Sequence, residues 1–208
     1  MKSQVKTSTK DKLLQVALEE FAEYGYDGVS TRSLTTKAGL NNYAISYHFG
    51  SKKDLYLACI ESLVELYEID FEPIANEIHF TLENNLDTTV WASLLRKYLL
   101  HHIKLFIDNK TKSRYLFFLR LKLSKLEVDE MYIKNNFRID SLKIILQKMN
   151  NLDESRMLEL NQKCLNIFSL LHSIITSKHM VLNTFNYKDY TSEFMEEYTE
   201  YLSDIAKI

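Results

Sequence analysis

The chain has 208 residues, 46% hydrophobic and 26% charged, with a formal net charge of −2: the balance of an ordinary soluble protein, in one large domain or in two of which one is small. One proline and four glycines are too few for the frequent turns of a sheet protein, so the composition excludes an all-β design and points to long helices. No apolar run reaches the ~18 residues of a membrane span, and the opening stretch MKSQVKTSTKDK lacks the apolar core of a secretory signal, which predicts a cytoplasmic protein.

In chain order, Thr9 is the expected cap of a first helix reaching Tyr24, with Leu13, Leu14, Ala17, Leu18 and Phe21 on one face. Gly25 ends it. Ser30 caps a second helix that runs through Leu34 to Ala38, and Gly39 supplies the left-handed residue of a tight turn. Asn41 caps a third through Ala44, Ile45 and Tyr47, and Leu34, Ala38, Leu40, Ile45 and Phe49 are the apolar positions that lock the pair. Two helices of about two turns joined by a glycine turn have the outline of a helix-turn-helix. Ser51, with Asp54 three residues on, caps a longer helix through Leu55, Ile60 and Leu63, which Pro73 should end or kink near Phe71.

Ile74–Leu82 then reads as a short amphipathic helix. Thr88 or Thr89 opens a long one, with Leu94, Leu95, Tyr98, Leu99, His102, Ile103 and Phe106 inward. Ser113–Lys125 is dense in large apolar side chains, and Val128–Met149 and Glu154–Ser177 carry further apolar faces. Lys178–Asn186 reads as irregular before a last helix bearing Tyr190, Phe194, Tyr198, Tyr201, Leu202 and Ile205. The expected fold is therefore all-α: about nine helices, a three-helix head over residues 1–53 and a larger helical body over 54–208. The last two long helices have wider apolar stripes than packing on the body requires, and their aromatics suit a dimer interface.

Charge is split along the chain. Residues 1–53 hold eight Lys/Arg against five Asp/Glu, and the remainder eighteen against twenty-three. A mildly basic head on an acidic body suits a protein that meets a polyanion at one end. Cys59 and Cys164 match no zinc or redox spacing and read as reduced core thiols.

The run Thr9, Leu13-Leu14, Ala17, Phe21, Gly25-Tyr26, then Ser30, Leu34, Ala38-Gly39-Leu40, then Ile45-Ser46-Tyr47-His48-Phe49-Gly50-Ser51-Lys52-Lys53 and Leu55 resembles the TetR/AcrR family of bacterial transcriptional regulators. It covers about a quarter of the chain. The wording around Phe49 looks like the subgroup with Ser-Tyr-His-Phe where most relatives carry Tyr-Tyr-His-Phe. The resemblance implies a homodimer, built through the last two long helices, that reads a palindromic operator with recognition helices roughly 34 Å apart. It also implies a small-molecule effector held in the body.

On that footing each contact residue has a physical role. Arg32 offers a guanidinium fork for guanine or phosphate, and Thr31 a short hydroxyl for phosphate. Asn42 and Tyr43 open the recognition helix where side chains reach base edges, and Asn suits adenine. Tyr47 and His48 resemble the family's phosphate-contacting pair, and Lys52 adds charge at the next helix N-terminus. Ser46 stands where an aromatic is usual, and its short hydroxyl is expected to reach the nearest phosphate or none. Lys37 is a further cation on the second helix.

In the body, an apolar effector site is expected among Trp91, Tyr98, His102, Tyr115, Phe118, Phe168 and His172, which suits a hydrophobic or aromatic ligand. His79, His101, His102, His172 and His179 include no pair at i, i+4 and no completed ligand set, so no metal and no cofactor is expected. Without a glycine-rich phosphate loop or a nucleophile elbow, nothing points to an enzyme. The rival reading is an architectural or cell-cycle DNA-binding protein that uses the same head without an effector.

Overall fold

The computed structural model describes residues 8–84, 86–108 and 137–207. Among them are nine α-helices, one 3-10 turn and no strand. They divide into two compact units, one of residues 8–68 and the other of residues 69–108 and 137–207.

The first unit holds α1 (Thr9–Tyr24), α2 (Thr31–Lys37), α3 (Ala44–His48) and the first part of α4 (Lys52–Glu83). Helices this short are marginal in water, so their ends need help. Ser8, one residue before the expected Thr9, caps α1: its Oγ accepts the Asp11 N–H at 3.1 Å, and the Asp11 carboxylate accepts the Ser8 N–H at 3.2 Å. The Ser51 hydroxyl accepts the Asp54 N–H at 3.1 Å and donates to the Asp54 carboxylate at 2.6 Å. Gly28 is fixed by space, since a Cβ there would stand 2.3 Å from the Tyr24 carbonyl oxygen. Leu13, Ala17, Phe21, Leu34, Ala38, Ile45, Leu55 and Ile60 form the core, with Phe21 and Tyr56 edge to face at 5.0 Å.

Pro73 does not end α4. The helix continues through it to Glu83, and Ile74–Leu82 is its second half rather than a separate element. A proline inside a helix costs about 3 kcal/mol. Burial of Phe71, Ile74 and Ile78 on either side offsets that local cost, as tertiary packing routinely overrides propensity.

In the second unit α5 (Thr88–Ile107) packs against α6 (Phe137–Met149), α7 (Met157–Thr176) and α9 (Ser192–Ile205). Asp87 caps α5 by accepting the Thr89 and Val90 N–H groups, and all seven expected inward residues of α5 are buried. A 3-10 turn, Glu154–Arg156, leads into α7. The stretch expected to be irregular contains α8 (Lys178–Thr184), a seven-residue helix held by buried Val181 and Leu182. The Lys163 ammonium donates to the carbonyls of Ile205 and Lys207 at 2.6 and 2.8 Å, closing the end of α9. The expected helix Ser113–Lys125 and the start of Val128–Met149 lie outside the described residues. Cys59 and Cys164 are buried free thiols; burial pushes Cys164 up to about 11 and Cys59 up as well. Among the described residues no helix is long and apolar enough to cross a membrane.

Candidate nucleic-acid interface

The head presents α2 and α3 through a turn whose backbone is fully specified. Ser30 and Ser33 cap α2 reciprocally, each hydroxyl accepting the other's N–H at 3.0 and 3.1 Å. The Leu40 N–H closes on the Thr35 carbonyl at 2.8 Å, which requires the positive φ of +64° that Gly39 adopts between them. Asn41 then accepts the Tyr43 N–H on its side-chain oxygen at 3.0 Å and the Ala44 N–H on its carbonyl at 3.1 Å, launching α3 through an Asx turn. Leu34, Ala38, Ala44 and Ile45 are buried beneath, with Leu40 and Phe49 packed against them.

What the core does not use faces outward. Thr31, Arg32, Asn42, Tyr43, Ser46 and Tyr47 are exposed. Tyr43 and Tyr47 are 80% and 84% exposed, far more than aromatic rings of a folded helix pair need to be. His48 is half-buried, its ring edge-on to Tyr47 at 4.8 Å. Thr9, Asn41, Tyr43, Tyr47 and His48 border an open depression of about 220 Å³.

The cations behave differently from one another. Arg32 is exposed on the first turn of α2. Lys37 is ion-paired with Glu20 of α1, and that hydrogen bond raises its pKa. Lys52 is half-buried with its ammonium 4.1 Å from the centre of the Tyr26 ring; burial lowers its pKa and Asp27 opposes the shift. Lys10 lies 5.6 Å over the Phe49 ring. Sequence reasoning passed over Thr35. It is fully buried, and its hydroxyl reaches Asn42 Oδ1 at 3.3 Å. The available signal was a hydroxyl residue beside Leu34, at a position where the helix face called for an apolar one.

In the second unit, four of the residues expected around an effector come together. Tyr98 and His102 of α5 are fully buried with ring centroids 4.3 Å apart, and His102 lies 6.0 Å from Phe168 of α7, which neighbours His172 at 6.1 Å. Phe71 and Phe106 complete the cluster, at 4.4 and 5.9 Å from His102. Trp91 is buried two turns before Tyr98, and Tyr115 and Phe118 lie outside the described residues. Burial lowers the pKa of His172 and of His101, whose neighbour Asp70 opposes the shift. Among the described residues no three His, Cys, Asp or Glu side chains are grouped to hold a metal ion.

Residues 13–59 match the sequence profile of a family described as bacterial regulatory proteins, tetR family. The HTH-type transcriptional dual regulator CecR of Shigella flexneri is 44% identical over 68 residues, a match that spans 33% of this chain and 30% of that protein. Two solved structures are similar along nearly the whole chain. A putative fatty acid metabolism regulator of Clostridium perfringens aligns at a TM-score of 0.63 and 18% identity, covering 95% of this chain and 99% of that one. The TetR family transcriptional regulator PfmR of Thermus thermophilus aligns at 0.59 and 21%, covering 96% of each. At these identities the structural likeness shows a shared fold.

Proposed function

We propose that the chain, whose residues 13–59 match the tetR-family profile, is a TetR/AcrR-type ligand-responsive repressor that binds a palindromic operator as a homodimer in the cytoplasm. Residues 1–53 would read the DNA, and residues 54–208 would hold the effector and the partner copy. The observation that carries the reading is the exposed row along α2, the turn and α3, where Arg32, Asn42, Tyr43, Ser46 and Tyr47 lie outside the core of a helix-turn-helix. A two-helix reader of this kind places the second helix in the major groove. Arg32, Asn42 and Tyr43 face base edges, while Thr31, Ser46, Tyr47, His48 and Lys52 take the phosphates.

Dimerisation is assigned to α7 and α9. Leu158 and Leu165 stand one heptad apart on α7 at 73% and 67% exposure, and Tyr201 of α9 is 41% exposed, which supports a helix-pair interface. The effector is a small hydrophobic or aromatic molecule taken up among Trp91, Tyr98, His102, Tyr115, Phe118, Phe168 and His172. The clustered rings and the neutral state that burial favours in His172 support an uncharged site.

The test is selection of bound duplexes from a randomised DNA pool, followed by sedimentation of the selected complex. The expected result is an inverted repeat occupied by two chains, from which hydrophobic aromatic compounds release the protein. Enrichment of no sequence, or occupancy by a single chain, would overturn the reading.

A further inference from the structure

Thr35 is the one buried polar side chain on α2. Its Oγ1 lies 3.1 and 3.2 Å from the carbonyl oxygens of Thr31 and Arg32, the usual back-bonding of a helical threonine. The same oxygen lies 3.3 Å from Asn42 Oδ1, seven residues on and across the glycine turn. Asn41, next in line, already gives its side-chain oxygen to the Tyr43 N–H. The single Thr35 hydroxyl proton serves one of the three oxygens around it at a time, and the contact with Thr35 places the Asn42 carboxamide against α2.

We propose that Thr35 is a positioning residue for sequence readout: its buried hydroxyl anchors the Asn42 carboxamide so that Asn42 meets the base edges in one fixed rotamer. The inference rests on the reading of Asn42 as a base contact. An exposed asparagine samples several rotamers that binding must freeze, and an anchor settles one of them beforehand. Held in one rotamer, the carboxamide offers a fixed hydrogen-bonding group to the base edges of the major groove.

Duplex selections from a randomised pool, followed by titration of each base substitution in the selected site, would compare the wild-type chain with Thr35→Val, Thr35→Ala, Thr35→Ser and Asn42→Ala. One base pair should lose its preference roughly three- to tenfold in the Val, Ala and Asn42 variants, the size expected of one hydrogen bond. Thr35→Ser should keep the preference, and affinity for unselected duplex should be equal in all five proteins. If Asn42→Ala flattens that pair while Thr35→Val and Thr35→Ala retain it, the positioning role fails and Asn42 remains a reader. If Asn42→Ala changes no preference, the underlying reading fails too. Equal weakening on selected and unselected duplex in both threonine variants would make Thr35 a packing residue and overturn the proposal.

Discussion

The rings of the recognition segment and those clustered in the body are placed in opposite ways. In the body, Phe71, Tyr98, Phe106 and Phe168 turn inward around His102, on helices long enough to bury a continuous stripe. In the head, Tyr43 and Tyr47 turn outward from helices of one or two turns, and serine and asparagine side chains close the helix ends. Long helices are sustained by what they bury, and short ones by what finishes their ends. A ring exposed on a capped short helix therefore has no folding task, whereas a ring in the body cluster has one whether or not a ligand ever reaches it.

The largest test of that contrast pairs one ring from each side. Phe71→Ala should destabilise the protein by about 3–5 kcal/mol, and Tyr47→Ala by no more than about 0.5 kcal/mol, as read by urea denaturation. A large loss in Tyr47→Ala would return that ring to the core. Binding should reverse the order. Arg32→Ala and Tyr43→Ala are each expected to weaken the selected operator by about 1–3 kcal/mol and to relax sequence preference, with denaturation midpoints unchanged; unaltered operator titrations in both variants would contradict the outward face. Ser30→Ala should cost about 1 kcal/mol of stability through its lost cap, which Ser30→Asp would restore.

The smallest effect concerns pH. Burial lowers the pKa of His101 and His172 in the folded chain below their ordinary 6.5. As pH falls below 6.5 the unfolded chain therefore takes up protons before the folded one does, and stability drops. It is fully present above 6.5 and is lost on acidification toward the folded pKa values. Thermal unfolding of His172→Phe should show a shallower acid-side decline than wild type; an identical decline would mean that His172 is not held neutral.

Much of the fold could be read from spacing alone, because helical periodicity is a property of one segment. The seven inward residues of α5 are buried as their positions imply, and so are Leu34, Ala38 and Ile45 of the helix-turn-helix, with Leu40 and Phe49 packed against them. Local rules misled where distant packing outweighs them. Pro73 sits inside α4 because its flanks are buried, and Lys178–Thr184 is helical although it has no side-chain cap and too few residues for a periodic signal. The pairs Tyr98–His102 and Phe168–His172 are each visible as neighbours one turn apart, but nothing in the sequence says that α5 and α7 pack together. The Thr35–Asn42 contact depends on the path of a turn, and only three dimensions reveal it.

The tied lysines of the head carry a consequence for ionic strength. Protein–DNA affinity falls with salt because each phosphate neutralised by a cation releases condensed counterions, with a slope of about 0.9 per phosphate on B-DNA. Residues 1–53 hold eight lysines and arginines, but Lys37 is already matched by Glu20, and Lys10 lies over the face of Phe49. Such cations displace fewer ions from DNA than free ones. The grip of the head should thus slacken less between dilute and concentrated salt than its lysine and arginine content suggests, leaving the exposed polar and aromatic row to supply a larger share of the hold.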